Sequence, residues 1–291
     1  MTTNIFLGIV IFLMVGVIYN NAKSKWKSWT YKKDINFPEP SVKRTDLYYG
    51  YYACNGEQVA DTKDHVNLFM ESQFSGIDKA IQNILDAAMD TAIDVMPQVY
   101  EQIDPAVRKW TIRADAEQRL RDFFTLLQSR GALKYVKFIY PSDEPNITIA
   151  GYEHQKLGTD VVRKVAAEFP ELSGVKLAVI FAAGSAHIGQ DLYDYVGMDD
   201  YAMKSHVLVC KEHKAMEDSL LPHQKLIVVP GGAYGQDPTS FINFAHANHK
   251  VGIIMPFLWF SEHSASVGAL GIKDNGMKDI YIAAGKKLLG K

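Results

Sequence analysis

Val136–Tyr140, VKFIY, runs straight into Pro141–Asn146, PSDEPN. Five apolar or amphipathic residues without strict alternation suit a strand covered on both faces. The chain leaves that strand through two prolines that bracket a pair of acids, the signature of a loop. Working outward, runs of the same kind recur at Leu47–Ala53, His65–Met70, Ala92–Pro97, Tyr135–Tyr140, Val175–Ala182, Tyr193–Met198, Lys225–Pro230 and Val251–Phe257.

Stripes of period 3.6 fall between most of these runs. Ile77, Ile81, Ile84, Leu85 and Ala88 share one helical face, as do Ala116, Leu120, Phe123, Phe124 and Leu127. Leu157, Val161, Val165 and Phe169 form a third stripe, and Phe241, Ala245 and Asn248 a weaker fourth. Met277, Ile280, Tyr281, Ala284 and Leu288 close the chain. No helix is expected in the first connection, and only a very short one after the fifth run. Eight strands with helical crossovers over residues 45–291 predict a (β/α)8 barrel, an α/β fold. An open doubly wound sheet is the alternative, but YYACNGEQVAD after the first run lacks the G-x-G-x-x-G phosphate loop.

The amino terminus reads differently. Ile5–Tyr19, IFLGIVIFLMVGVIY, carries no charge, and a basic, aromatic stretch follows with Lys23, Lys25, Lys27, Lys32 and Lys33 among Trp26, Trp29 and Tyr31. A spanning helix needs ~20 apolar residues and at least ~17. The run reaches that length only with its asparagine flanks. Residues 1–22 are expected to be a single-span anchor, with lysine and tryptophan at headgroup level. A signal segment, and hence a secreted protein, is the alternative, although its basic leader and small-residue cleavage site are missing. Residues 23–44 read as a basic, then proline-containing linker. The flanking lysines would keep the domain on the cytoplasmic side, whereas the chemistry expected of its strand ends suits the outside, so both sides stay open.

Composition excludes several classes. With 31 Lys plus Arg against 33 Asp plus Glu, the formal net charge is -2, so a dedicated nucleic-acid binder is not expected. Two cysteines, Cys54 and Cys210, cannot form a disulfide framework. The histidines show no H-E-x-x-H spacing, so no metal site or cofactor is expected.

In a barrel, chemistry sits at the carboxyl ends of the strands. There the sequence is rich in acids, amides and aromatics and poor in lysine and arginine, a set that hydrogen-bonds hydroxyls and stacks on sugar rings. Asp143-Glu144-Pro145-Asn146 stands out. A carboxyl beside another in a low-dielectric mouth has its pKa raised toward the range a general acid needs. On this element and on the strand order over residues 45–291, the chain resembles glycoside hydrolase barrels. In those enzymes a glutamate after the fourth strand, in N-E-P or D-E contexts, is the acid/base.

The resemblance implies Glu144 as general acid. It also implies a second carboxylate, which many such barrels place after the seventh strand. Here that position holds Gly231-Gly232-Ala233-Tyr234, and the next acid, Asp237, precedes Pro238 and reads as a helix cap. Asp199 or Asp200, after the sixth run, is the expected substitute. Asp143 beside Glu144 also resembles the hexosaminidase arrangement, in which the substrate's acetamido group attacks and the aspartate orients it. Tyr52, Asn55, Glu71, Gln98, Asn146, Tyr234 and Trp259 are expected to line the cleft. The expected function is hydrolysis of a polysaccharide or glycan; a non-catalytic, tethered barrel that binds glycan or protein is the alternative.

Overall fold

The computed structural model describes residues 44–52, 57–73, 76–104, 106, 108–199, 211–261 and 270–291. The expected anchor and linker, apart from Arg44, lie outside these residues, as do Asn55 and Asp200. Among the described residues no helix is long and apolar enough to cross a membrane.

Each apolar run contributes one strand: β1 Tyr48–Tyr49, β2 Phe69–Glu71, β3 Thr91–Asp94, β6 Val136–Tyr140, β7 Lys176–Ala182, β8 Tyr195–Asp199, β9 Lys225–Val228 and β10 Val251–Ile254. The remaining two, β4 Tyr100–Asp104 and β5 Lys109–Ile112, pair antiparallel as a separate hairpin after β3. The eight are parallel neighbours in the order β1-β10-β9-β8-β7-β6-β3-β2. That order never reverses, as a doubly wound sheet would require. The sheet is curled and TIM-barrel-like. Its two outer strands approach each other where the Asn67 and Leu68 amides donate to the Tyr49 carbonyl at 3.0 and 3.1 Å. Gly50 permits this approach, since a Cβ there would stand 2.3 Å from the Leu68 carbonyl oxygen.

Helices α1 Glu57–Thr62, α2 Ile77–Ala87, α3 Met96–Val99, α4 Ala116–Ser129, α5 Pro145–Thr148, α6 Gly151–Ala166, α7 Lys211–Asp218, α8 Thr239–Ala247 and α9 Lys278–Leu289 occupy the connections. Helix α1 stands in the first connection, where none was expected. In α4 the buried residues Leu120, Phe123, Phe124 and Leu127 follow the sequence stripe. In the third stripe Val161, Val165 and Phe169 are buried as expected, but Leu157 is 49% exposed, and the buried face of α6 also takes in Gln155, Gly158 and Val162. At Gly158 the Tyr100 hydroxyl of the hairpin occupies the space a side chain would need.

Candidate active site

Glu144 owes its position to a nailed-down loop. It adopts a left-handed backbone, φ 45° and ψ 54°, immediately ahead of Pro145 at the start of α5. For an L-residue that conformation costs about 1–2 kcal/mol. Local bonds offset it. The Glu144 amide donates to the Ile180 carbonyl at 3.2 Å, and the Thr148 hydroxyl donates to the Asp143 and Glu144 carbonyls at 2.8 and 2.9 Å. The Asn146 side chain bonds Ala182 in both directions, at 2.8 and 3.0 Å, and ties the loop to β7. Backbone strain held in place this way is common at functional sites.

The β4–β5 hairpin supplies the only cation that lines the cavity among the described residues. Arg108, itself at φ 51°, places Nη1 3.1 Å from Glu144 Oε2 and Nη2 3.3 Å from Asp143 Oδ2. Lys109 Nζ donates to the Ile147 carbonyl at 2.8 Å and Trp110 bridges to Ile149, so hairpin and acidic loop form one wall. On its other oxygen, Asp143 accepts from the hydroxyls of Tyr52 and of Tyr140, the latter at 3.2 Å.

These groups border a cavity of about 440 Å³ lined by Tyr52, Gln73, Asp94, Arg108, Trp110, Tyr140, Asp143, Glu144, Asp199 and Phe257, among others. Asp199, buried at the end of β8, lines the same cavity and interacts with the Glu144 carboxyl. Burial, then the neighbouring Asp143 charge, pushes the Glu144 carboxyl above the usual range; Arg108 and the Asp199 contact pull it back. For the Arg108 guanidinium, burial opposes the charged form, but Glu144 and Asp143 outweigh it and raise its pKa. Asp94, at the end of β3, is pushed up to about 8 by burial, against a stabilising Met96 amide bond.

Glu144, Asp143, Asp199 and Tyr52 therefore meet in one hollow. Among the described residues, the other expected site residues do not line it. Glu71 is fully buried, its oxygens accepting from the Gln73 amide at 2.8 Å and Asn83 Nδ2 at 2.9 Å, and burial raises its pKa. Gln98 pairs side chain to side chain with Gln73, at 2.9 and 3.2 Å, behind the cavity wall. Asn146 is spent on the Ala182 clamp. Tyr234 lies 37% exposed after β9, its phenol raised by burial and then by the Asp199 charge. Trp259 is a correction to the expected sugar platform: it is wholly buried, packed 4.8 Å from Tyr51 and 5.4 Å from His65 between ring centres. Asp237 was expected to cap the helix, but Pro238 holds the N-cap position; Asp237 accepts from the Thr239 amide at 2.7 Å from the turn before it.

Sequence reading passed over Arg108, Trp110, Asp94 and Phe257. Asp94 was within reach, as the first carboxylate inside the third apolar run. Arg108 and Trp110 had no local signal, because their hairpin is short, largely exposed and free of alternation. Among the described residues no cluster of three or more histidine, cysteine or acidic side chains could hold a metal ion.

The chain matches no family model and no curated protein. Solved structures do resemble it. A GH2 β-galacturonidase from Eisenbergiella tayi superposes with TM-score 0.51 at 7% identity, over 84% of this chain and 51% of that one. The GH113 β-mannanase of Alicyclobacillus acidocaldarius gives 0.50 at 11% identity, over 85% and 99% of the two chains. A fungal β-1,4-galactanase gives 0.50 at 13% identity, over 83% and 94%. The chain thus spans about half the length of the galacturonidase and nearly all of the other two. At such identities the likeness is one of fold: the chain shares the barrel-like architecture of glycoside hydrolases.

Proposed function

We propose that this protein is a glycoside hydrolase with a closed (β/α)8 barrel, acting on a polysaccharide or glycan. The observation that supports this most is the partly buried Glu144 beside Asp199 in a sugar-sized hollow at the strands' carboxyl ends. Glu144, its pKa raised, gives its proton to the glycosidic oxygen as the bond to the anomeric carbon breaks. Asp199 attacks that carbon and forms a glycosyl ester. The Glu144 carboxylate then takes a proton from water, whose oxygen displaces Asp199. The interaction of the two carboxyls across one cavity supports this route, since retaining enzymes hold them ~5–5.5 Å apart and inverting ones ~6.5–9.5 Å, with room for a water between. Asp143 orients Arg108 and Tyr52, or an acetamido group if the substrate carries one.

The test is a hydrolysis screen over β-1,4-mannan, β-1,4-galactan and aryl glycosides. Glu144→Gln should abolish turnover, by about 10³-fold or more, and leave sugar affinity within a few-fold. Unchanged turnover would remove Glu144 from the mechanism.

One observation favours a non-catalytic glycan-binding reading: Arg108 engages both loop acids. Under that reading no substrate in the screen is cleaved, yet sugar binds native protein and Glu144→Gln alike. We also propose that residues 5–19 tether the protein to a membrane. Detergent-dependent extraction of the full chain, lost when residues 1–22 are removed, is the expected result. A carbonate-soluble full chain would contradict it.

A further inference from the structure

The third barrel strand ends in a carboxyl that the hydrolytic scheme leaves unused. Asp94 lines the same cavity as Glu144 and Asp199. Its placement is rigid. The Asp94 carbonyl accepts from Gln73 Nε2, the following Val95 amide donates to the Tyr140 carbonyl at 3.0 Å, and Oδ1 accepts from the Met96 amide at 2.8 Å. Gln73 is in turn held by Gln98, and its amide by Glu71, so the ends of β2 and β3 form one locked network. Oδ2 has no hydrogen-bond partner among the described residues and is the oxygen left for a ligand.

The groups around Asp94 disfavour its charge. Asp143, on the loop after β6, and Glu71, on β2, both raise its pKa, after burial and against the Met96 amide. Glu144 and Asp199 line the same cavity, Tyr52 and Tyr140 offer hydroxyls, and Arg108 is engaged by Asp143 and Glu144. A carboxyl so placed favours its protonated form, which has an O–H to donate from the oxygen that Met96 leaves free.

We propose that Asp94 is a further substrate-binding residue, donating that O–H to an acceptor oxygen of the bound sugar. The inference rests on the glycoside reading and deepens it. An acid that donates selects an oxygen with no proton of its own, such as a ring, glycosidic or acyl carbonyl oxygen, whereas a carboxylate would select a hydroxyl. Ionisation removes the donor and adds a charge, so affinity falls as pH rises through the Asp94 titration.

The experiment uses the full chain in two arms. In the first, aspartate labelled with ¹³C at the carboxyl is titrated by NMR without ligand. One resonance should have its midpoint near 8, and it should be missing from Asp94→Asn. In the second, mannohexaose or a galactan hexasaccharide is titrated calorimetrically into Glu144→Gln, which also removes that group's own ionisation from the readout. At pH 9, one unit above the midpoint, about one tenth of Asp94 is neutral, so affinity should be about tenfold below that at pH 6. Adding Asp94→Asn, whose amide donates at every pH, should flatten the profile; Asp94→Ala should be weak throughout. The proposal is overturned, with the hydrolase reading intact, if no aspartate titrates above pH 6 or if sugar affinity is equal at the two pH values. If neither sugar binds and nothing in the hydrolysis screen is cleaved, the glycoside reading itself fails and takes this contact with it.

Discussion

Removing the Arg108 guanidinium should change how readily Glu144 gives up its proton, by an amount the geometry sets. Arg108 stands 3.1 Å from Glu144 Oε2 and 3.3 Å from Asp143 Oδ2. Opposite unit charges about 4 Å apart attract by about 1 kcal/mol in water and about 4 kcal/mol at an effective dielectric of 20. The Arg108 side chain is 57% exposed and that of Glu144 18%, so the aqueous end governs. About 1–2 kcal/mol corresponds to about one pKa unit. The sign follows from the ion pair: Arg108 favours ionised Glu144, so Arg108→Ala should raise its pKa by about one unit. The freed Asp143 charge acts in the same direction. Carboxyl ¹³C NMR of labelled glutamate, with the Glu144 resonance assigned by its loss in Glu144→Gln, reads the midpoint directly. With any cleaved substrate, the alkaline limb of kcat/KM should move up by the same unit, and Arg108→Lys should restore most of it. A midpoint that stays put or falls would mean that the hairpin does not hold Arg108 against Glu144 in solution, and the account of the cavity wall would be refuted.

Two further outcomes follow from neighbouring contacts. Asn146→Ala leaves the Ala182 amide and carbonyl without their side-chain partner, which should cost about 2 kcal/mol in urea denaturation. It should also lower kcat/KM by about tenfold, because the strained Glu144 loop loses its tie to β7; a change in stability alone would contradict the positioning role. Buried Arg44 donates to the carbonyls of Ala245, Asn248 and Val251 at 2.7, 2.8 and 2.9 Å, binding the end of α8 to the start of β10. Arg44→Ala should therefore destabilise by about 3 kcal/mol, roughly a 10 °C fall in Tm by calorimetry, whereas a fall of under 2 °C would show that water replaces it.

How much of this was legible beforehand depended on the range of the interaction responsible. The eight strands could be read from runs such as VKFIY and KLAVIF because burial on both faces of a strand imposes apolar continuity on adjacent residues. The acidic loop after the fourth of them could be read because prolines and charge mark a loop locally. So could the turn at Asp237, whose bond is to a residue two positions away. Leu157 and the Trp259 platform misled for one shared reason. An apolar residue at a helix face or strand end has the same local pattern whether it meets the core or solvent, and only its neighbours in space decide.

The same holds for the site's chemistry. Glu144 lies 36 residues from the arginine that pairs with it, in a hairpin no periodicity announced. Asp199 reaches it from two strands further along the chain. The elevated titrations of Glu144 and Asp94 are sums over burial and charges that converge only when the sheet curls. Sequence by itself determined which backbone segments turn inward and where polar loops interrupt them, since those are properties of consecutive residues. Which acids share a hollow, which of them carries a proton and which cation restrains them were decided by the tertiary structure, because electrostatic fields and desolvation act through space and take no account of distance along the chain.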